Sequence, residues 1–296
     1  MQERSGSTLR GVLTISLMTL NVIGWCVALL TVALLKLLVP LRAWRRLTSR
    51  AMTALAEGWI GTNNALFRAM GSLPLEVRGL EGLSTREWYL VVSNHRSWVD
   101  ILVLQAVFNR RIPFLKFFLK QQLIWVPFLG LAWWALDFPF MRRHSPEYLE
   151  KHPERRGEDL AVTRRACEKF RLIPTSVMNF VEGTRYTQRK HAAFKSPYRH
   201  LLPPRPGGTS FVLSAMGGML HAMLDVTIAY AGRTPTLWDL CCGRLGTVKV
   251  DIRRRPIDEW MAAGDYADDP AFRSRFKDWL AGLWAEKDSL LDQRGP

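Results

Sequence analysis

Residues 11 to 35 carry no charged side chain, and Lys36 and Pro40 close the run. These 25 residues exceed the roughly 20 that a helix needs to cross a bilayer core. The apolar part of a cleavable signal is shorter, about 7–15 residues, and no clear A-x-A site follows here. The run therefore predicts an uncleaved membrane anchor over residues 1–43, with its apolar helix at 11–40, ahead of a catalytic domain over 44–296. Thr14, Ser16, Thr19, Asn21 and Thr31 leave open a helix lying within one leaflet. Arg42, Arg45, Arg46 and Arg50 follow the run, whereas Arg4 and Arg10, offset by Glu3, precede it. The positive-inside rule then places the body on the cytoplasmic side.

Charge points the same way. There are 41 Lys+Arg against 26 Asp+Glu, a formal net charge of +15, which calls for an anionic partner, either nucleic acid or a phospholipid surface. Twelve tryptophans favour the lipid surface, because an indole has an apolar body and a polar N–H that suit the headgroup region. The four cysteines show no C-x-x-C, and neither H-E-x-x-H, G-x-x-x-x-G-K-[ST] nor G-x-G-x-x-G occurs. Zinc, P-loop and Rossmann chemistries thus lack their motifs.

Beyond the anchor, residues 41–70 read as a second helix, in which Gly58 and Gly61 are weak points. Strands alternate with helices after that, which predicts an α/β domain with a mixed central sheet flanked by helices. Strands are expected at 73–79, 89–93, 114–118, 138–141, 177–181, 226–230 and 248–253. Helices are expected at 97–108, 157–170, 210–219 and 270–291. The last has its own start signal in Asp269 as cap and Pro270 at the first position.

Two motifs carry chemistry. Asn94-His-Arg-Ser-Trp-Val-Asp100 follows the strand-like run at 88–93 and places a histidine five residues before an aspartate. A carboxylate on the first turn of the next helix can hold Nδ1 and leave Nε2 free to accept a proton. Phe180-Val-Glu-Gly-Thr-Arg185 follows a second strand, and its arginine offers a fixed fork of donors suited to phosphate. Six Lys+Arg and no acidic residue lie between 185 and 205. Residues 123–141 are apolar except for Asp137, and Pro127, Gly130 and Pro139 argue for a helix-and-strand groove rather than a second membrane span.

This constellation resembles the lysophospholipid acyltransferase family, which includes the 1-acylglycerol-3-phosphate O-acyltransferases. Four blocks of that family have counterparts in order. Asn94, His95, Ser97 and Asp100 form the first; Lys120, Pro127, Gly130 and Arg143 match the second, with Gln122 in place of the usual glutamate. Phe180, Glu182, Gly183, Thr184 and Arg185 form the third, with Val181 in place of proline, and Leu224-Asp-Val-Thr-Ile-Ala-Tyr230 stands for a Val-Pro strand. The details look like a bacterial inner-membrane subgroup related to the lysocardiolipin acyltransferases.

The resemblance implies a membrane-bound O-acyltransferase acting on a lysophosphatidic acid-like acceptor at its sn-2 hydroxyl. His95 and Asp100 would be catalytic, and Arg185, Arg143, Glu182, Gly183 and Thr184 would bind the acceptor's phosphate. Lys120 is the candidate oxyanion or donor contact, and Trp125, Pro127, Phe128 and Gly130 are candidates for the acyl groove. No cofactor is expected beyond the acyl donor itself, acyl-CoA or acyl carrier protein. Anionic membrane is the expected partner and nucleic acid is not. Two rivals remain open: a membrane-tethered hydrolase or thioesterase using the same pair, and a non-catalytic protein that binds anionic lipid.

Overall fold

The computed structural model describes residues 2–141, 167–168, 170, 173–264, 266 and 268–294. Two long helices come first, α1 (Gln2–Leu38) and α2 (Arg42–Ala69), joined by a short turn at Pro40. They pack against each other through polar ties that the sequence scattered through an apolar run. The Asn21 amide donates to the Asn63 side chain at 2.9 Å and to the Trp59 carbonyl at 3.2 Å, and the Trp25 indole donates to the Thr62 hydroxyl at 3.2 Å. Gly58 is the seat of the Trp25 ring, since a Cβ there would lie 2.5 Å from the indole. What read as a helix breaker is instead a packing glycine, and α2 runs on to Gly71, whose φ of +54° ends it.

Among the described residues, α1 is the one helix long and apolar enough to cross a membrane. One face of it lies against α2 and the rest of the protein, burying Thr14, Cys26 and Leu29; the other face exposes Leu9, Val12, Leu20, Val27 and Leu34.

The remaining chain forms a six-stranded mixed sheet in the order β1-β8-β7-β2-β6-β3, from β1 (Leu75–Arg78), β2 (Tyr89–Ser93), β3 (Leu115–Phe117), β6 (Ser176–Phe180), β7 (Ala222–Tyr230) and β8 (Val248–Arg255). All neighbours are parallel except β7 and β8. β2 and β7 are buried along their whole length, as strands covered on both faces must be, and this is why they read as unbroken apolar runs. A separate pair joins β4 (Leu119–Lys120) to β5 (Phe140–Met141).

Helix α3 (Val99–Phe108) follows β2, and α4 (Leu129–Ala135) leans on α1. The shorter α5 (Gln188–Ala193), α7 (Leu237–Cys241) and α8 (Glu259–Ala263) leave too little periodicity to be seen in sequence; α6 (Pro206–Met216) and α9 (Pro270–Arg294) were visible there. The Asp269 carboxylate caps α9 by accepting from the amides of Ala271 and Phe272. The helix expected at 157–170 lies almost wholly outside the described residues. All four cysteines are buried and unpaired.

Candidate functional site

β2 sits between β6 and β7, parallel to both, so the loops leaving these three strands meet at one end of the sheet. In open α/β sheets the carboxyl ends of the strands are where ligands collect. The first of these loops carries Asn94 and His95. Asn94 fixes it in place: its side-chain oxygen accepts from the Ile228 amide and its side-chain amide donates to the Ile228 carbonyl, both at 2.9 Å. The Ser97 hydroxyl donates to the Pro235 carbonyl at 2.6 Å and accepts from the Val99 amide at 3.1 Å, setting the start of α3.

With both ends held, the His95 ring has little freedom. Its Nδ1 lies 2.7 Å from Asp100 Oδ2, and the ring stacks on Phe180 at 3.8 Å between centroids and 13° between planes. Nε2 has no hydrogen-bond partner among the described residues, and the ring lines a cavity.

Asp100 is wholly buried yet well supplied with donors. Oδ2 accepts from the backbone amides of Arg96 at 2.7 Å and Ser97 at 2.9 Å as well as facing the imidazole; Oδ1 accepts from the Tyr230 hydroxyl at 2.5 Å. These donors fix the carboxylate's orientation against the imidazole. Burial, with the Asp100 charge beside it, pushes the Tyr230 phenol well above its ordinary range, so it stays protonated and stays a donor. Tyr230 thus joins the pair as a third member. In sequence it was only the end of an apolar strand, with no signal of its role.

The second loop follows β6. Gly183, at φ +68°, makes a turn that a side chain would strain. The turn is braced by Lys190, whose ammonium donates to the Thr184 hydroxyl at 2.6 Å and to the Arg185 carbonyl at 3.1 Å. In sequence Lys190 was one more cation in a basic run. The Tyr186 amide donates to the His95 carbonyl at 2.7 Å, tying the two loops together. The Arg185 guanidinium lies 4.7 Å over the exposed Trp98 ring.

Glu182 departs from its expected role. Its carboxyl is buried, accepts from the His95 amide at 3.1 Å and the Leu202 amide at 3.2 Å, and does not line the cavity. It clamps three segments together and is not placed to meet an anion. Burial pushes its carboxyl up to about 8, against the pull of those two amides. The folded state therefore holds a proton that the unfolded chain releases near pH 4.5. Its contribution to stability is fully present below pH 4.5 and is lost as pH rises through about 8. Thermal unfolding followed from pH 5 to 8 should show this decline, with a slope of roughly 1.4 kcal/mol for each step of one in pH. Glu182→Gln should flatten it, at the cost of one accepted amide hydrogen bond. An unchanged slope in the variant would assign the decline to other groups.

His95, Gly183, Thr184, Arg185 and Lys120 all line a cavity of about 560 Å³. The rest of its wall is mostly apolar, with Gln105 and Asn179 as exceptions. It includes Trp25 and Leu29 of α1, Leu55 and Trp59 of α2, Ile101 and Leu102 of α3, Phe117 and Met178 of the sheet, and Leu123, Leu129, Trp133 and Phe138 of the apolar stretch before residue 141. The groove candidates Trp125, Pro127, Phe128 and Gly130 are not part of that wall. Trp125 is 85% exposed, and Phe128 also points outward. Gly130 is buried in a tight turn, where a Cβ would lie 2.0 Å from the Ile124 carbonyl oxygen. The Pro127–Gly130 block folds the 3-10 turn Gln121–Trp125 back onto α4, and its neighbours fill the wall. Arg143 lies outside the described residues.

The acyltransferase family model matches residues 74–229, more than half of the chain, a stretch that holds His95, Asp100 and Arg185 and stops one residue short of Tyr230. The chain is 27% identical over 218 residues to mouse 1-acyl-sn-glycerol-3-phosphate acyltransferase gamma, covering 70% of this chain and 53% of that protein. It is 28% identical over 223 residues to 1-acyl-sn-glycerol-3-phosphate acyltransferase 3 of Arabidopsis thaliana, with 70% and 54% coverage. The chain thus spans about half the length of these relatives. Its fold is shared with the crystal structure of the 1-acyl-sn-glycerophosphate (LPA) acyltransferase PlsC from Thermotoga maritima, at a TM-score of 0.55, 16% identity and 96% and 98% coverage of the two chains. On the strength of the matched region, which runs from β1 into β7 and holds both sequence blocks, the chain belongs to the acyltransferase family.

Proposed function

We propose that the protein transfers a fatty acyl chain from an acyl thioester to the free sn-2 hydroxyl of a lysophosphatidic acid-like acceptor at a membrane surface. The observation that carries this reading is a single cavity lined by His95, Arg185 and an otherwise mostly apolar wall. A base, a cation and an acyl-sized slot are what the reaction needs.

His95 Nε2 accepts the proton of the acceptor hydroxyl while Asp100, bonded to Nδ1, steadies the imidazolium that forms. The oxygen attacks the thioester carbonyl, a C–O bond forms, and a tetrahedral oxyanion results. Collapse breaks the C–S bond, and the imidazolium returns its proton to the leaving thiolate. Lys120, exposed at the edge of the cavity, is the candidate to stabilise the oxyanion. Arg185 holds the acceptor phosphate, and Gly183 and Thr184 shape the loop that presents it.

The donor is acyl-CoA or acyl carrier protein, and no cofactor enters the scheme. The active site faces the cytoplasmic side of the inner membrane, with residues 1–43 as anchor and 44–296 as catalytic domain. The exposed apolar face of α1 and the outward Trp125, Phe128, Leu131 and Trp134 support a lipid-facing surface. The anchor does more than tether, because Trp25 and Leu29 form part of the slot wall.

The direct test assays purified protein with labelled acyl-CoA and acyl carrier protein against a panel of lysophospholipids. Diacyl product supports the reading; free fatty acid alone would make the protein a hydrolase. Arg185→Ala should raise the acceptor KM about ten- to a hundredfold, the loss of one charge-assisted contact, with little change in donor KM. An unchanged acceptor KM would remove Arg185 from its role. Tyr230→Phe takes one donor from Asp100 and is expected to lower kcat about tenfold. With one donor fewer, Asp100 orients the imidazole less firmly, so the loss should fall on kcat and leave both KM values within a few-fold. A loss confined to thermal stability, with kcat unchanged, would make Tyr230 purely structural.

A further inference from the structure

A second cavity, of about 660 Å³, opens beside the turn between α1 and α2. Its rim carries Arg42, Arg45 and Arg46, with Lys36 and Lys116 nearby and Asp137 as its single carboxylate. Lys36 lies 4.0 Å from Asp137, whereas the three arginines are exposed and have no ion pair among the described residues. They also stand in the first turns of α2, where the helix dipole disfavours cations, with no acidic residue in the first turn and no side-chain cap from Leu41. Three like charges placed against the dipole, with no ion-pair partner among the described residues, are a local conflict of the kind that function retains.

The lining of this cavity includes the apolar Met52, Phe114, Ala135 and Leu136 and the exposed Leu37. An occupant must therefore be anionic at one end and apolar beside it. The reaction's own substrates do not fit. This cavity shares only Phe114 and Leu136 with the one that holds His95, and none of its lining residues surrounds His95. An acceptor's phosphate sits one glycerol away from the hydroxyl that His95 must reach, so it belongs at Arg185. A donor's thioester must likewise lie beside His95. The phosphates of a CoA donor are separated from its acyl chain by a polar pantetheine arm, whereas this cavity sets its cations beside an apolar lining. We propose that Arg42, Arg45 and Arg46 seat the phosphate of a bilayer anionic phospholipid that is neither donor nor acceptor, fixing how deep the α1–α2 turn lies relative to the headgroups.

The inference rests on the membrane location proposed above, but its readout is lipid binding and needs no turnover. Detergent-solubilised full-length protein carrying Arg185→Ala, which removes the acceptor's phosphate contact, is titrated with dihexanoyl phosphatidylglycerol and with dihexanoyl phosphatidylcholine. The phosphatidylglycerol should bind more tightly, and adding Arg42→Gln, Arg45→Gln and Arg46→Gln together should weaken it on the order of a hundredfold. The phosphatidylcholine affinity should barely move. A control triple, Arg68→Gln, Arg86→Gln and Arg111→Gln, removes three exposed arginines elsewhere and should leave both affinities unchanged. Equal losses in the two triples would reduce the effect to general attraction. Loss of the phosphatidylglycerol preference on Arg185→Ala alone would place the anion at the reaction site. Either result overturns the proposal.

Discussion

Replacing His95 with alanine is expected to lower acyl transfer by about 10²–10⁴-fold, the usual contribution of a positioned general base, while leaving the fold in place. The prediction is sharp because the ring and the backbone of His95 have separate partners. Its amide is held by Glu182 and its carbonyl by Tyr186, and both contacts survive truncation. Asp100 keeps the amides of Arg96 and Ser97 and the Tyr230 hydroxyl, so the buried carboxylate is not orphaned. What disappears is the imidazole between Asp100 and the cavity. Initial rates with labelled acyl-CoA, alongside circular dichroism and membrane fractionation, would check it. Activity within a few-fold of wild type in a folded variant would sink the general-base assignment. Lost activity together with lost structure would show that the stacking of His95 on Phe180 holds the two loops in place.

How much of this was legible before the structure depends on the range over which each signal acts. The His95–Asp100 pair lies within five residues on one strand-to-helix junction, and local geometry alone brings its groups together. The mixed sheet was also readable, because fully buried strands leave unbroken apolar runs. The α1 polar residues were visible, but their meaning was not. Asn21 read as a weak point in a membrane span and instead ties α1 to Asn63 and Trp59.

Long-range partners were the blind spot. Tyr230 reaches Asp100 from a strand 130 residues away, and nothing around it marks a functional residue. Glu182 sat in a block read as phosphate-binding, yet its carboxyl turns inward to two amides, a choice made by burial rather than by motif. The apolar stretch after Lys120 was rightly placed near the slot, but which of its side chains face inward depends on the fold-back at Pro127–Gly130, and so the exposed Trp125 and Phe128 were misassigned.

The fourth block, Leu224–Tyr230, lacks the proline usual in the family, and the structure ties its Asp225 to Lys287 on α9. Both are buried, with the Lys287 ammonium 2.5 Å from Asp225 Oδ1 and donating also to the Val226 carbonyl at 2.6 Å and the Thr227 hydroxyl at 3.0 Å. Arg255 Nε donates to Asp225 Oδ2 at 3.1 Å, and its guanidinium reaches Glu286 on the same helix. Burial pushes the Lys287 ammonium below its ordinary value, against the pull of Asp225. Lys287→Met should therefore destabilise the protein by about 3–5 kcal/mol, because it leaves a buried carboxylate with one partner fewer and takes a donor from the Val226 carbonyl and the Thr227 hydroxyl. The size of that loss measures the broken pair, not the worth of the intact one. Changing both sides, Lys287→Met with Asp225→Leu, should recover much of it, since a buried pair and a well-packed apolar pair are often close in stability. Chemical denaturation of the two single variants and the double would give the coupling. If Lys287→Met unfolded at the wild-type midpoint, the pair would not be holding α9 to β7.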